Sequence, residues 1–122
     1  MDDSKLTGKI IGAAIEVHRA LGPGLLESIY EEALCHELEL RGINYQRQVS
    51  VNVNYKGKQI SGQILDLLVE SKVIIELKSL RTLPDVATAQ TLSYLKATGL
   101  HRALLINFGE KRLANGIKRL SL

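Results

Sequence analysis

Apolar residues at helical spacing predict two helices at the start of the chain. The first helix has one apolar face and stops at the Gly22-Pro23-Gly24 sequence; that face comprises Leu6, Ile10, Ala13, Ala14, Val17 and Leu21. The second helix is predicted from Leu25 to Arg41, with Gly42 as its left-handed stop and an acidic outer face. The chain therefore opens with two amphipathic helices separated by a glycine-rich turn.

The spacing then changes from helical to alternating. Apolar and polar residues alternate over Tyr45–Tyr55, which predicts a half-buried strand. Lys56-Gly57-Lys58 is a hairpin signal, and a second strand is predicted over Gln59–Val69, with Gly62 as a candidate bulge. The nearly continuous apolar run at the start of Val73–Lys78 predicts a central strand. These three strands form a meander.

The last third of the chain predicts a crossover between two buried strands. Pro84-Asp85 opens a helix that runs through Lys96 and ends at Gly99, and the apolar run from Ala103 to Phe108 predicts a buried strand. A short last strand is predicted over Ile117–Leu120. This order predicts one α/β domain over residues 1–122, with a mixed central β-sheet flanked by helices.

Composition excludes several classes of protein. The 122 residues are 45% hydrophobic and 24% charged, which is typical of a globular domain. Aromatic residues make up only 4%, which argues against a surface that binds bases or sugars mainly by stacking. No apolar run reaches the roughly 18 residues of a membrane span, and the Met1–Ser4 start lacks a basic region before an apolar stretch. The lone Cys35 predicts core filling and a reducing compartment, so we expect a cytoplasmic protein.

The net charge of +3 is unevenly distributed along the chain. Residues 1–61 hold seven basic and eight acidic side chains, whereas residues 62–122 hold nine basic and five acidic ones. A polyanion could lie against the basic half, although a solvated basic face is the more frequent reason for such a skew.

Three charged residues lie on two neighbouring strands of this meander, two of them on the predicted central strand. Glu76 and Lys78 stand two apart on the central strand and share one face, which is costly unless these charges are used. If Glu70-Ser71-Lys72 is a three-residue connection, Asp66 on the preceding strand lies directly opposite Glu76. The two carboxylates would then suit Mg²⁺ or Mn²⁺, and Lys78 would orient or help to deprotonate a water. This arrangement predicts metal-assisted hydrolysis of a phosphodiester.

Two other interpretations of these residues stay open. A two-residue connection would send the carboxylates to opposite faces of the sheet. Lys78 could also form a purely structural ion pair with Glu76 or Asp66, because an Asp followed by Glu-x-Lys is a frequent accident. No zinc site is expected, since His18, His36 and Cys35 do not have the spacing of zinc ligands.

Four separated blocks of the sequence resemble a known family. They are the run from Leu21 to Tyr30, Asp66–Val69 with Ile75–Lys78, Ala89–Leu100, and Leu104–Gly109. The first block is similar to the signature of the GxxExxY proteins, a prokaryotic family of the PD-(D/E)xK nuclease superfamily. The likeness covers nearly the whole chain and implies a restriction-endonuclease-like core. Leu65 stands where the superfamily motif has its proline.

The resemblance implies a role for each of seven residues. Asp66, Glu76 and Leu77 would form the metal site, Lys78 would act on the water, and Glu27 would reach the site from a helix. Gln90 and Tyr94 are similar to the Gln-x-x-x-Tyr element of RecB-like nucleases and, being four apart, lie on one helical face. Without the resemblance, Glu27 would be an ordinary first-turn acid and Tyr30 and Tyr94 would be core residues.

The resulting hypothesis is a Mg²⁺- or Mn²⁺-dependent nuclease that acts on DNA rather than RNA, with the basic half contacting phosphates. The alternative is an inactive nuclease-fold module that binds nucleic acid or a partner protein. An interaction protein that uses the acidic second helix is a third class. Because a chain of this size has little surface to wrap a duplex, a homodimer or a partner subunit is also expected.

Overall fold

The computed structural model describes residues 3–122, which form three α-helices, five strands and a 3₁₀ turn at Leu113–Gly116. The helices are α1 (Asp3–Leu21), α2 (Glu27–Leu40) and α3 (Asp85–Thr98). The strands are β1 (Tyr45–Tyr55), β2 (Lys58–Val69), β3 (Val73–Lys78), β4 (Arg102–Asn107) and β5 (Ile117–Ser121). Met1 and Asp2, part of the Met1–Ser4 start, lie outside the described residues. That one domain spans residues 1–122 stays a prediction.

The five strands form one mixed sheet in the order β1-β2-β3-β4-β5. Only β3 and β4 pair in parallel, because α3 connects them as a crossover, and the other neighbours are antiparallel. Helices α1 and α2 pack on one face of the sheet against Ile75 and Leu77, whereas α3 packs on the other face against Ile74. The expected mixed sheet flanked by helices is therefore confirmed. No helix within residues 3–122 is long and apolar enough to cross a membrane.

The segment between α1 and α2 differs from its prediction. Helix α2 begins at Glu27, not Leu25, because Leu26 is extended and Gly24 has a φ of 101°. The hydroxyl of Tyr30 accepts a hydrogen bond from the Leu25 amide at 3.1 Å and donates one to the Gly22 carbonyl at 2.5 Å. These bonds hold residues 22–26 as a loop over the helix, so the first turn starts two residues later.

Part-way along the β1–β2 hairpin, the side chains switch between the two faces of the sheet out of step with the usual alternation. In a regular strand, residues two apart share a face. Leu67 nevertheless packs with α1 and α2, whereas Leu65 packs with α3. The change occurs where Gln48 on β1 faces Asp66 on β2, and Gln48 has a left-handed backbone with a φ of 51°. The break in the pleat therefore coincides with one of the predicted carboxylates.

Candidate active site

Asp66 and Glu76 lie directly across from each other on antiparallel strands. Val69 pairs with Val73, so Glu70-Ser71-Lys72 is a three-residue connection and the register continues to place Asp66 opposite Glu76. The regular ladder stops at Leu67, and side chains replace it: the Asp66 amide donates to Glu76 Oε1 at 2.9 Å. The Leu77 amide donates in turn to Asp66 Oδ2 at 2.8 Å. Each carboxylate is therefore oriented by a backbone amide of the other strand.

This pair is buried well enough to change its own protonation. Glu76 is only 5% exposed, and burial followed by the repulsion of Asp66 raises its pKa to about 8. Burial also raises the pKa of Asp66, although the hydrogen bond from the Leu77 amide lowers it. Lys78 is half-buried, and its charge lowers the pKa of both carboxyls without cancelling these effects. One ammonium group therefore leaves the two carboxylates short of positive charge.

Glu27, on the first turn of α2, lies close enough to the pair for their charges to interact. Its pKa is raised by partial desolvation and then by the charge of Asp66, while Lys78 lowers it. The loop contacts of Tyr30 fix where this turn begins, and the Tyr30 ring stacks on Phe108 with centroids 4.4 Å apart. Tyr30 is thus a core residue with a satisfied hydroxyl whose effect is to place Glu27.

Glu31 is a fourth acidic residue near the pair, although its place in the sequence predicted that it belongs to the acidic outer face of α2. Glu31 on α2 is only 7% exposed, and its charge raises the pKa of both Asp66 and Glu27. Arg47 donates to Glu31 Oε2 at 2.7 Å, and Gln48 donates to Glu31 Oε1 at 2.9 Å. The Gln48 side chain also hydrogen-bonds to Asp66, which lowers the pKa of that carboxyl. The only available signal was that Glu31 lies four residues after Glu27 and therefore on the same helical face.

The two residues predicted on α3 occupy different environments. Tyr94 is buried, its hydroxyl donates to the Ile64 carbonyl at 3.3 Å, and burial followed by the charges of Glu76 and Asp66 raises its pKa. Gln90 is exposed one turn earlier. Within the described residues, the Gln90 side chain forms no hydrogen bond with the carboxylates or with Lys78. The structure therefore places Tyr94 beside the site and Gln90 at the surface.

Asn107 and Gly109 hold the segment that follows Lys78. Asn107 is fully buried, accepts a hydrogen bond from the Leu80 amide at 2.9 Å and donates one to the Leu80 carbonyl at 3.0 Å. Gly109 lies against the same backbone, where a Cβ would overlap the Leu80 carbonyl. A cavity of about 450 Å³ opens between this segment and the loop before α2, and Glu27 and Arg81 line it. These contacts set the direction in which the chain leaves the site.

Asp66 and Glu76 supply two carboxylates for a hard divalent cation, and the other ligands would have to come from the main chain, water or substrate. No three side chains among the His, Cys, Asp and Glu residues of the described range are placed to hold a metal ion. Two carboxylates with raised pKa values are present, and Mg²⁺ commonly binds one or two carboxylates with water and substrate oxygens as its other ligands. The side chain of Leu77 is a hydrocarbon without a donor atom and packs in the core, so only its main-chain carbonyl could serve as a ligand.

The fold and this site define a class of protein. A mixed sheet carries a Glu-x-Lys on its central strand and an Asp opposite it on the neighbouring strand, which is the arrangement of the PD-(D/E)xK nucleases. The chain belongs to the PD-(D/E)XK nuclease superfamily, because the model of that superfamily matches residues 4–120. This match confirms the superfamily that the sequence resembles. The GxxExxY family and the RecB-like type stay predictions.

A solved structure has the same fold. The crystal structure of SSO0001 superposes with a TM-score of 0.60 at 22% identity, over 77% of this chain and 48% of that one. The chain thus spans about half the length of that protein. At this identity the likeness concerns the fold alone. No curated protein matches the chain.

Proposed function

We propose that this protein is a nuclease that hydrolyses phosphodiester bonds with the help of Mg²⁺ or Mn²⁺. One observation carries the proposal: the Asp66 and Glu76 carboxylates each accept a hydrogen bond from a backbone amide of the other's strand, and Lys78 on β3 lies close enough for its charge to lower the pKa of both. Burying such a pair costs free energy that a purely structural role does not explain. Membership of a nuclease superfamily agrees with this chemistry.

Each residue then has a distinct task. Asp66, Glu76 and the Leu77 carbonyl would hold the cation, which supplies positive charge against the negative charge that develops on the phosphodiester. Lys78 would orient the attacking water and take part in its deprotonation. Glu27 would complete the acidic site from α2. Tyr94 would close it from α3.

Four finer expectations belong to the same proposal. The Gly24, Glu27 and Tyr30 spacing matches the GxxExxY signature, and the loop contacts of Tyr30 give that spacing a physical purpose. DNA is the proposed substrate, contacted through the basic residues of the second half of the chain. Gln90 is proposed as a surface contact to a phosphate, in keeping with its exposure. A second copy or a partner subunit would widen the surface that meets a duplex.

The test is cleavage of labelled DNA and RNA, in single- and double-stranded form, with EDTA, Mg²⁺ or Mn²⁺. The wild type should cleave DNA only with a divalent ion. Lys78→Ala should lower the cleavage rate about 100- to 10,000-fold while nucleic-acid binding persists, because the substitution removes no proposed ligand. Lys5→Ala is a matched control, because Lys5 is exposed on α1.

Two outcomes would contradict the proposal. Equal cleavage by the wild type and Lys78→Ala would assign the activity to another site or to a contaminant. Binding without cleavage under every metal condition would instead support the inactive module that binds nucleic acid.

A further inference from the structure

A second cavity, of about 670 Å³, lies between the β1–β2 hairpin and α3. Its lining is mostly polar and contains none of the proposed catalytic residues; it comprises Asn52, Val53, Asn54, Gln59, Gln63, Ser93, Lys96 and Ala97. Four of these eight residues carry a side-chain amide, which both donates and accepts hydrogen bonds. We call this cavity the amide groove.

One of the four side-chain amides has an oxygen without a hydrogen-bond partner. Gln63 Oε1 is buried and has no hydrogen-bond partner in the described part of the chain. Nearly all buried polar atoms in native proteins are paired, and Gln63 as a whole is only half-buried and lines the cavity, so its amide can turn towards a ligand there and pair with it. A half-turn of the amide exchanges its oxygen and its nitrogen, so Gln63 can present either an acceptor or a donor. The ligand must then offer the complementary donor or acceptor. The polar edge of a nucleobase carries both kinds.

The charge around the groove favours an anion. No Asp or Glu occurs from residue 40 to residue 65, a stretch that includes both strands of the hairpin up to Leu65. On the opposite wall, Lys96 is exposed and forms no ion pair with the described residues. Amides for hydrogen bonds and one lysine for a phosphate are the contacts that a nucleotide needs.

The groove is also close to the proposed catalytic site along the chain. Gln63 precedes Asp66 by three residues on β2, which corresponds to about 10 Å of extended strand. Between them, Tyr94 Oη donates to the Ile64 carbonyl and ties α3 to β2. A nucleic-acid strand that fills the groove would therefore continue towards the carboxylates.

We propose that the amide groove binds one unpaired nucleotide of the nucleic-acid substrate, with its base edge on Gln63 and Asn52 and its phosphate on Lys96. This inference rests on the proposed function for the identity of the substrate. An unpaired nucleotide is required because the groove is concave, so a base must protrude from its strand to enter it, and bases inside a duplex are stacked and paired.

The test measures binding in EDTA, which separates it from cleavage. Fluorescence anisotropy would report the affinity of the full chain for single-stranded DNA, single-stranded RNA of the same sequence and a blunt duplex, at several salt concentrations. We expect single strands to bind at least tenfold more tightly than the duplex. Lys96→Ala should weaken single-strand binding and lower the salt slope by about 0.7 to 1. The DNA and RNA arms distinguish the two sources of the nucleotide.

Gln63→Leu separates a binding role from a structural role. The substitution removes a buried unpaired polar atom, so thermal stability should stay the same or rise. Single-strand affinity should nevertheless fall about 5- to 10-fold with an unchanged salt slope. Gln46→Ala is the matched amide control, because Gln46 is exposed on β1 and does not line the groove.

Three results would overturn the inference. They are unchanged single-strand affinity in both groove variants, an equal loss in Gln46→Ala, or an equal loss of duplex binding. None of them bears on metal-dependent cleavage by the wild type, so the groove can fail while the proposed function stands. If the wild type does not cleave but the groove variants still lose single-strand binding, the proposed nuclease activity is refuted and the proposed nucleotide site stands.

Discussion

Replacing Glu76 by Gln should make the metal-free protein more stable near neutral pH. Glu76 Oε1 accepts the Asp66 amide, and a Gln side chain keeps an oxygen that can do the same. The substitution therefore removes the charge while the shape and the hydrogen bond persist. In the wild type, burial and the repulsion of Asp66 raise the pKa of Glu76 from 4.5 to about 8.

The sign and size of the effect follow from this difference in pKa. Between pH 4.5 and 8 the unfolded chain has released the proton that the folded chain still binds, so stability falls as the pH rises. The favourable contribution is complete below pH 4.5 and lost by about pH 8. The loss is about 3 kcal/mol at pH 7 and about 5 kcal/mol at pH 9. For a domain of this size, 3 kcal/mol corresponds to about 10 °C in Tm.

The assay is thermal unfolding of both proteins in EDTA from pH 4.5 to 9, followed by titration with Mn²⁺ at pH 7.5. The difference in Tm should grow with pH, in favour of the variant. Mn²⁺ at 100 times its Kd should stabilise the wild type by about 2.7 kcal/mol, because the ion binds only the folded arrangement. The variant should respond much less, since it has lost one carboxylate ligand.

Glu110→Gln is the matched control for the general effect of removing an acidic charge. Glu110 lies after β4, and its side chain forms no ion pair within residues 3–122. Its pH profile should follow that of the wild type. Parallel pH profiles for the wild type and Glu76→Gln would refute the reasoning about burial. An equal response to Mn²⁺ would place the ion elsewhere.

Three further substitutions test how the site is held. Tyr30→Phe removes both hydroxyl bonds to the loop before α2, so urea unfolding should show a loss of about 1–3 kcal/mol, and cleavage should fall further than stability explains. Unchanged stability would contradict that anchoring role. Gly109→Ala places a Cβ against the Leu80 carbonyl, so Tm should drop by several degrees, whereas Gly8→Ala, at an exposed position of α1, should be neutral or stabilising. Gln48→Gly relieves the strain of a left-handed backbone but removes the hydrogen bond to Glu31, so stability should change little while cleavage falls. Full activity would show that Gln48 does not orient the carboxylates.

Hydrophobic periodicity determined most of the fold, because burial on one face imposes a spacing that is visible in the sequence. The alternation over Tyr45–Tyr55 and the apolar run at Val73–Lys78 became the predicted strands, and α3 ends at Gly99 as predicted, with that glycine in a left-handed conformation. The 3₁₀ turn at Leu113–Gly116 was missed, since it has no repeating pattern.

The sequence by itself also determined that Asp66 could face Glu76, because the length of the connection sets the register of an antiparallel pair. The tertiary structure decided that Glu31 and Gln48 reach the same carboxylates and that the β1–β2 hairpin changes face beside them. These contacts join elements far apart in the chain and depend on one left-handed residue. Periodicity reports which residues are buried, but it contains no information about which buried residues from different elements meet.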